Sequence, residues 1–157
     1  MDSYGTRFPV EDNAAQGLHF LIVEGRAYPG IADEMKAGAI AALELAGATH
    51  EVISVPSAME VPVGVAMALE TDRFDGYVAL GCVIRGHSNH YEAVAGESTR
   101  ALAELAVVDA LPLGIGILTV ENEGQAWARA RKTDQDRGGD AARAAVVLAA
   151  LKAKLNA

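Results

Sequence analysis

The stretch Gly81-Cys82-Val83-Ile84-Arg85-Gly86-His87-Ser88-Asn89-His90-Tyr91-Glu92 decides how this chain is read. It continues an apolar run, Tyr77-Val78-Ala79-Leu80, which reads as a buried strand. Polarity then changes within one turn's length: a glycine, two histidines, a serine and an asparagine arrive together. Beyond them Val94, Leu102, Leu105, Ala106 and Val108 keep a helical spacing. A buried strand therefore ends in a polar turn that opens a helix. In parallel α/β sheets ligands sit beyond the carboxyl ends of the strands. Free N–H groups and the helix dipole there favour an anion, often a phosphate. His90 stands at the mouth of that site, and a histidine's reference pKa is roughly 6.5. An anion cradle and a proton shuttle fall side by side.

Working outward, the same alternation repeats. His19 to Glu24 is a short apolar strand, and Gly25 to Gly30 is the turn after it. Ile31, Met35, Ile40, Leu43 and Ala46 have helical spacing, with Gly47 placed to end that helix. His50 to Pro56 is the second strand. Pro62 falls in the first turn of the next helix, where proline sacrifices no hydrogen bond. Leu111-Pro112 breaks the long helix, and Leu113 to Val120 is a fourth strand. Two helical segments follow, near Glu123 to Lys132 and Asp140 to Leu155, separated by Arg137-Gly138-Gly139. Strand–helix alternation with short connections predicts an α/β three-layer sandwich: a parallel sheet covered on both faces. Residues 1–17 lack periodicity and read as a flexible arm, in which Phe8 and Val10 are apolar enough to pair with something. Residues 18–157 read as one domain.

Composition excludes several classes. With 157 residues and 51% apolar content the chain can bury a core. Its net charge of −8 argues against nucleic acid as a partner. A small phosphorylated ligand needs only a local cation and backbone donors. The lone cysteine, Cys82, allows no disulfide within the chain and reads as a small buried hydrophobe. No stretch reaches the ~20 apolar residues of a membrane helix, and no signal-type run opens the chain. A cytoplasmic protein without membrane attachment is expected.

Four segments in register resemble the lumazine synthase family. They are Gly81 to Glu92 with its Arg85-Gly86 and His90-Tyr91-Glu92; Ser57-Ala58-Met59-Glu60-Val61-Pro62; Gly116-Ile117-Leu118-Thr119 with Glu121-Asn122; and Gln125-Ala126 leading to Arg129. They cover nearly everything after Leu18. The resemblance implies a flavodoxin-like four-stranded sheet of order 2-1-3-4. It implies condensation of 5-amino-6-ribitylaminouracil with 3,4-dihydroxy-2-butanone 4-phosphate to 6,7-dimethyl-8-ribityllumazine, phosphate and water. No cofactor or metal is implied. His90 would be the general acid/base. Ala58, Met59 and Glu60 would bind the ribityl chain and pyrimidine. Cys82, Val83 and Ile84 would line the same pocket, mainly through main-chain groups, and Ile115 matches a pocket position that varies in the family. Gly86, His87 and Ser88 would cradle phosphate, with Arg129 completing the cradle. The partners implied are two small-molecule substrates and further copies of the chain. A homopentamer or dimer of pentamers, with active sites between neighbours, is expected. The arm would add a strand to a neighbour's sheet.

Each of these residues also has a plainer reading. His90 could decorate a helix start, Glu60 could be a first-turn acid favoured by the dipole, and Arg129 with Arg131 and Lys132 could be a solvated helix end. His87 and His90 are spaced i, i+3, but only Glu92 or Glu97 could supply a third metal ligand, so no metal is expected. Arg85 reads as a structural ion-pairing residue. The family carries an aromatic after the arginine that ends the first strand; here Arg26 is followed by Ala27 and then Tyr28. Either Tyr28 supplies the stacking ring or the pocket lacks one. The alternative function is a non-catalytic flavin- or lumazine-binding protein on the same scaffold. A receiver-type regulatory domain fits poorly, since it would want an acidic cluster at the strand ends.

Overall fold

A computed structural model describes residues 7–87 and 91–157, the His87 side chain excepted. Four strands form one parallel sheet: β1 (His19–Gly25), β2 (Thr49–Val55), β3 (Gly76–Ile84) and β4 (Leu113–Val120). Their order is β2-β1-β3-β4, the arrangement expected. All three pairings are parallel, with Ile22 opposite Val52 and Val78, and Leu80 opposite Gly116. Helices α1 (Pro29–Leu45), α4 (Glu123–Ala130) and α5 (Arg137–Leu155) cover one face. Helices α2 (Val61–Leu69) and α3 (Tyr91–Val108) cover the other.

The strand periodicity of two explains both cores. Phe20, Ile22, Val78, Leu80, Cys82, Ile84, Leu118 and Val120 point towards α1, α4 and α5. Leu21, Val23, Tyr77, Ala79 and Leu113 point towards α2 and α3. β3 is buried along its whole length, as a central parallel strand must be.

The end of α1 follows its sequence cue. Gly47 has φ +81, the Gly47 N–H bonds to the Glu44 carbonyl, and the Ala48 N–H reaches back to Leu43. That is a Schellman closure, in which only glycine takes the left-handed position without cost.

The start of α5 departs from expectation. The helix begins at Arg137, so Gly138 and Gly139 lie in its first turn and do not separate two segments. A β-carbon on Gly138 would collide with the Met35 carbonyl of α1, and one on Gly114 of β4 would collide with the Ala141 carbonyl of α5. These glycines let backbones touch. Asp136, left-handed at φ 49, caps the helix by accepting from the Gly139 N–H at 3.2 Å. A second departure is Val108, which shares the helical spacing of the apolar residues yet is exposed beside Val107 at the end of α3. The inner end of the stretch read as an arm is docked, with Ala15 buried and its N–H bonded to the Ala46 carbonyl.

Backbone contact at Gly138 predicts that Gly138→Ala lowers stability by about 1–3 kcal/mol through overpacking. Gly96 sits in α3 with nothing near its missing β-carbon, so Gly96→Ala should stabilise by about 0.5–1 kcal/mol. Denaturant unfolding at fixed protein concentration measures both. Equal midpoints for the two variants would contradict the packing argument.

Candidate active site

The chain leaves β1 in one direction to reach β2, and the rest of the sheet grows in the other. The switch point lies between the carboxyl ends of β1 and β3, where a crevice is expected. Gly25 to Tyr28 leaves one of these strand ends and Arg85–Gly86 leaves the other. The turn from Ser57 to Glu60 sits directly over them. A β-carbon on Gly25 would stand 2.7 Å from the Ser57 carbonyl carbon, and one on Gly81 would stand 3.2 Å from the Ala58 β-carbon. Two glycines at the strand ends thus let this turn close onto the sheet.

Within that turn the Ser57 hydroxyl donates to a Glu60 carboxylate oxygen at 2.7 Å and accepts from the Met59 N–H at 3.3 Å. This aims the Glu60 carboxylate before any ligand arrives. Ala58 is buried and Met59 exposed. Cys82 and Ile84 point into the α1-side core and Val83 is buried, so a ligand at the crevice meets this strand end through its main chain. Ala27 is exposed. The neighbouring Tyr28 ring packs against the α1-side core. Burial, then the nearby Cys82, push the Tyr28 phenol above its ordinary pKa.

Beyond β3 a single 3₁₀ turn spans Arg85–His87. The Arg85 guanidinium holds Glu92 at 3.1 Å and Glu121 at 3.0 Å and covers the Tyr91 ring at 4.4 Å. This is the structural ion pairing expected of it. Gly86 is exposed. Ser88 and His90, and the His87 side chain, lie outside the described residues.

Ile115 and Arg129 stand elsewhere. Ile115, 38% exposed, lies opposite Ala79 in mid-sheet on the edge strand β4. Arg129 on α4 points an Nη at the Thr119 carbonyl, 3.5 Å away. Both line an open groove of about 770 Å³ along β4 and α5. None of Ala27, Tyr28, Ala58, Met59, Glu60, Cys82, Val83, Ile84 and Gly86 lines that groove. Within one chain the expected site residues form two separate sets.

The groove also holds residues that sequence reasoning missed. Arg7, Arg137, Asp140 and Arg143 line it beside Arg129. Asp140 pairs with Arg7 at 2.7 Å and Arg143 at 2.8 Å. Four guanidinium groups against two carboxylates, Asp140 and the Asp136 that pairs with Arg143 at 3.1 Å, make a local cationic patch on a protein of net charge −8. The signal lay in the charges next to Gly138-Gly139, once those glycines are placed inside a helix.

The fold is that of a parallel α/β protein with a glycine-supported turn over its switch point and a cationic groove on the far edge of the sheet. The model of the family 6,7-dimethyl-8-ribityllumazine synthase matches residues 17–153, and the chain belongs to that family. A 6,7-dimethyl-8-ribityllumazine synthase of Agrobacterium fabrum is 55% identical over 142 residues, 87% of this chain and 96% of the relative. 6,7-Dimethyl-8-ribityllumazine synthase 1 of Rhizobium meliloti is 54% identical over 145 residues, 89% and 95% of the two chains. The protein of the same name from Azorhizobium caulinodans is 56% identical over 141 residues, 87% of each. Among the described residues no helix is long and apolar enough to cross a membrane.

Burial pushes the Cys82 thiol up to about 12. Thiolate is the reactive form, so at pH 8 only about one thiol in 10⁴ is ionised, against about one in ten for an unshifted group of pKa 9. Cys82 should therefore resist an aromatic disulfide reagent in the native protein and react promptly once unfolded. Equal rates in the two states would contradict this burial.

Proposed function

We propose that the chain catalyses the last bond-forming stage that builds a lumazine. In this reading 5-amino-6-ribitylaminouracil condenses with 3,4-dihydroxy-2-butanone 4-phosphate to give 6,7-dimethyl-8-ribityllumazine, phosphate and water. The observation that carries it is family membership over residues 17–153, joined to a turn over the switch point that holds the Glu60 carboxylate in place. The chemistry is an imine condensation, loss of phosphate, ring closure and dehydration. Each step moves a proton or stabilises an anion, so one histidine and a cradle of donors suffice. His90 is the acid/base. The turn Gly86-His87-Ser88 offers backbone donors to the phosphate. Ala27, Tyr28, Ala58, Met59, Glu60, Cys82, Val83 and Ile84 form the pyrimidine side. Holding two substrates together supplies much of the remaining acceleration.

Arg129 and Ile115 enter from a second copy. Their groove belongs to the other edge of the sheet, so one subunit's crevice is completed by its neighbour's groove. The exposed apolar side chains support such an assembly. Phe8, Met59, Val63, Met67, Val107 and Val108 all face outwards, more apolar surface than a solitary subunit usually shows. Of the eighteen residues of α3 only Ser98 and Leu102 are buried. The outer edge of β4 has no strand beside it among the described residues, and such an edge invites pairing with the arm of a neighbour. We place the protein in the cytoplasm as a homopentamer or a dimer of pentamers.

Incubation with both substrates, followed by the absorbance of the lumazine, tests the activity. His90→Ala should slow turnover by roughly 10²–10⁴ with unfolding unchanged. A wild-type protein that binds the lumazine product without forming it would establish the binding-protein reading.

Shared sites make a second prediction. His90→Ala and Arg129→Ala subunits, co-expressed with different tags and purified through both, should form some sites with His90 and Arg129 both intact. Random mixing across a head-to-tail interface leaves about a quarter of sites intact, so activity should approach that share of wild type. Mixed assemblies no more active than either variant alone would refute the shared site.

A further inference from the structure

Glu24 is the last side chain of β1 before the turn on the pyrimidine side. It is charged by nature, only 1% exposed, and has no part in the chemistry described above. A carboxylate so far from water must be compensated, because isolated charge is costly in a low-dielectric interior. Its compensation runs to three elements. Oε1 accepts from the Arg26 guanidinium at 2.9 Å. Oε2 accepts from the Ser54 hydroxyl of β2 at 2.7 Å and from the Lys36 ammonium of α1 at 3.4 Å. Arg26 in turn holds Asp33 of α1 at 2.8 Å and reaches the Pro29 carbonyl at 3.5 Å.

The consequence lies in what Arg26 carries. It occupies the centre of the turn Gly25-Arg26-Ala27-Tyr28, and its N–H bonds to the Val55 carbonyl of β2. With its guanidinium fixed between Glu24 and Asp33, the turn has little freedom to pivot. Gly25, at the root of the turn, lies against the Ser57 main chain, and Ser57 aims Glu60. The Glu24–Arg26 pair therefore sets the spacing between the Ala27 turn and the Ser57–Glu60 turn. Lys36 touches the same carboxylate but leads only into α1, away from the crevice.

We infer that Glu24 is a positioning residue for the pyrimidine substrate, acting through Arg26 on the turn that carries Ala27; this rests on the lumazine synthase reading above. Arg26 presents a fork of donors in fixed geometry, which makes its pairing directional in a way an ammonium's is not. The role is thus specific to the Glu24–Arg26 link and not to burial of charge in general.

Steady-state kinetics with each substrate varied in turn tests this. Glu24→Gln keeps the shape and loses the charge. It should raise the KM for the ribitylaminouracil about tenfold or more, with the KM of the phosphorylated butanone and kcat changed less than about threefold, the signature of lost uniform binding. Arg26→Gln should do the same, and the double variant should be no worse than the weaker single one, since both act through one link. Lys36→Met, which removes a cation from the same carboxylate, should leave the pyrimidine KM near wild type. If Glu24→Gln does not fold, Arg26→Gln and Asp33→Asn, whose side chains reach solvent, carry the test. An unchanged pyrimidine KM in an active, folded Glu24→Gln or Arg26→Gln protein overturns the inference. So does a Lys36→Met variant with the same defect, which would mark a merely structural charge. A wild-type protein that forms no lumazine overturns the parent reading instead, and the two failures are distinct.

Discussion

The structure depends on one approach: α5 lies in backbone contact with both α1 and β4. Gly138 faces the Met35 carbonyl, while Gly114 and Gly116 face Ala141. Dispersion weakens steeply with separation, and a methyl group at any of these points would lift the helix off the sheet. The first turn of α5 would move with it. That turn holds Asp136, itself buried, which caps Gly139 and accepts from Arg143 at 3.1 Å. Arg137, Asp140 and Arg143 then project together into the groove beside Arg129. Close packing in the core and the placement of cations at the surface are consequences of the same three glycines.

The sheet order has an equally direct effect on function. Because β1 and β3 are the central pair, their carboxyl ends meet at the switch point, and the three expected pyrimidine-side segments fall there. β4 is an edge strand, so anything on its outward side cannot reach that crevice within the same chain. Ile115 and Arg129 are on that side. Under the proposed reading, a topology that puts one half of the site at the sheet centre and the other half at its edge would make association part of catalysis. The cationic lining of the groove suits a small anion. A net charge of −8 repels phosphate at long range, and four clustered guanidinium groups reverse the sign locally.

Much of this was legible in the residues. Strand–helix alternation gave the fold class, because a fully apolar nine-residue strand such as β3 has no stable place except the middle of a covered parallel sheet. Gly47 and Pro62 marked helix boundaries by mechanisms that act within a few residues. What sequence could not reveal were contacts between distant segments. Gly138-Gly139 looks like a break until Met35 is known to lie against it. Val108 keeps the helical period of α3, yet it is exposed together with Val107. Arg7 and Arg143 have no local pattern that marks them, since their meeting at Asp140 joins residues more than 130 positions apart in one case. Glu24 looks like an ordinary polar strand end and proves to be buried.

Ala27 raises the question of what recognises a flat heterocycle here. Tyr28 is the adjacent ring, but it is already engaged. Its ring covers part of the α1-side core. Turning it outwards would re-expose apolar surface at about 25 cal/mol per Å². Stacking on a ligand would return only about 0.5–1.5 kcal/mol beyond area burial. Re-exposing as little as about 60 Å² already cancels the largest stacking gain, so the ring stays inside. Under the proposed reading, recognition on this side would fall to the main chain at Cys82 to Ile84, the Glu60 carboxylate held by Ser57, and the exposed thioether of Met59 on the turn that Gly25 supports. A thioether adapts its shape to an aromatic face and is attracted to it. A pocket built this way gains its selectivity from hydrogen bonds held in fixed positions more than from a rigid aromatic wall, which makes the spacing between its two turns the quantity that matters most.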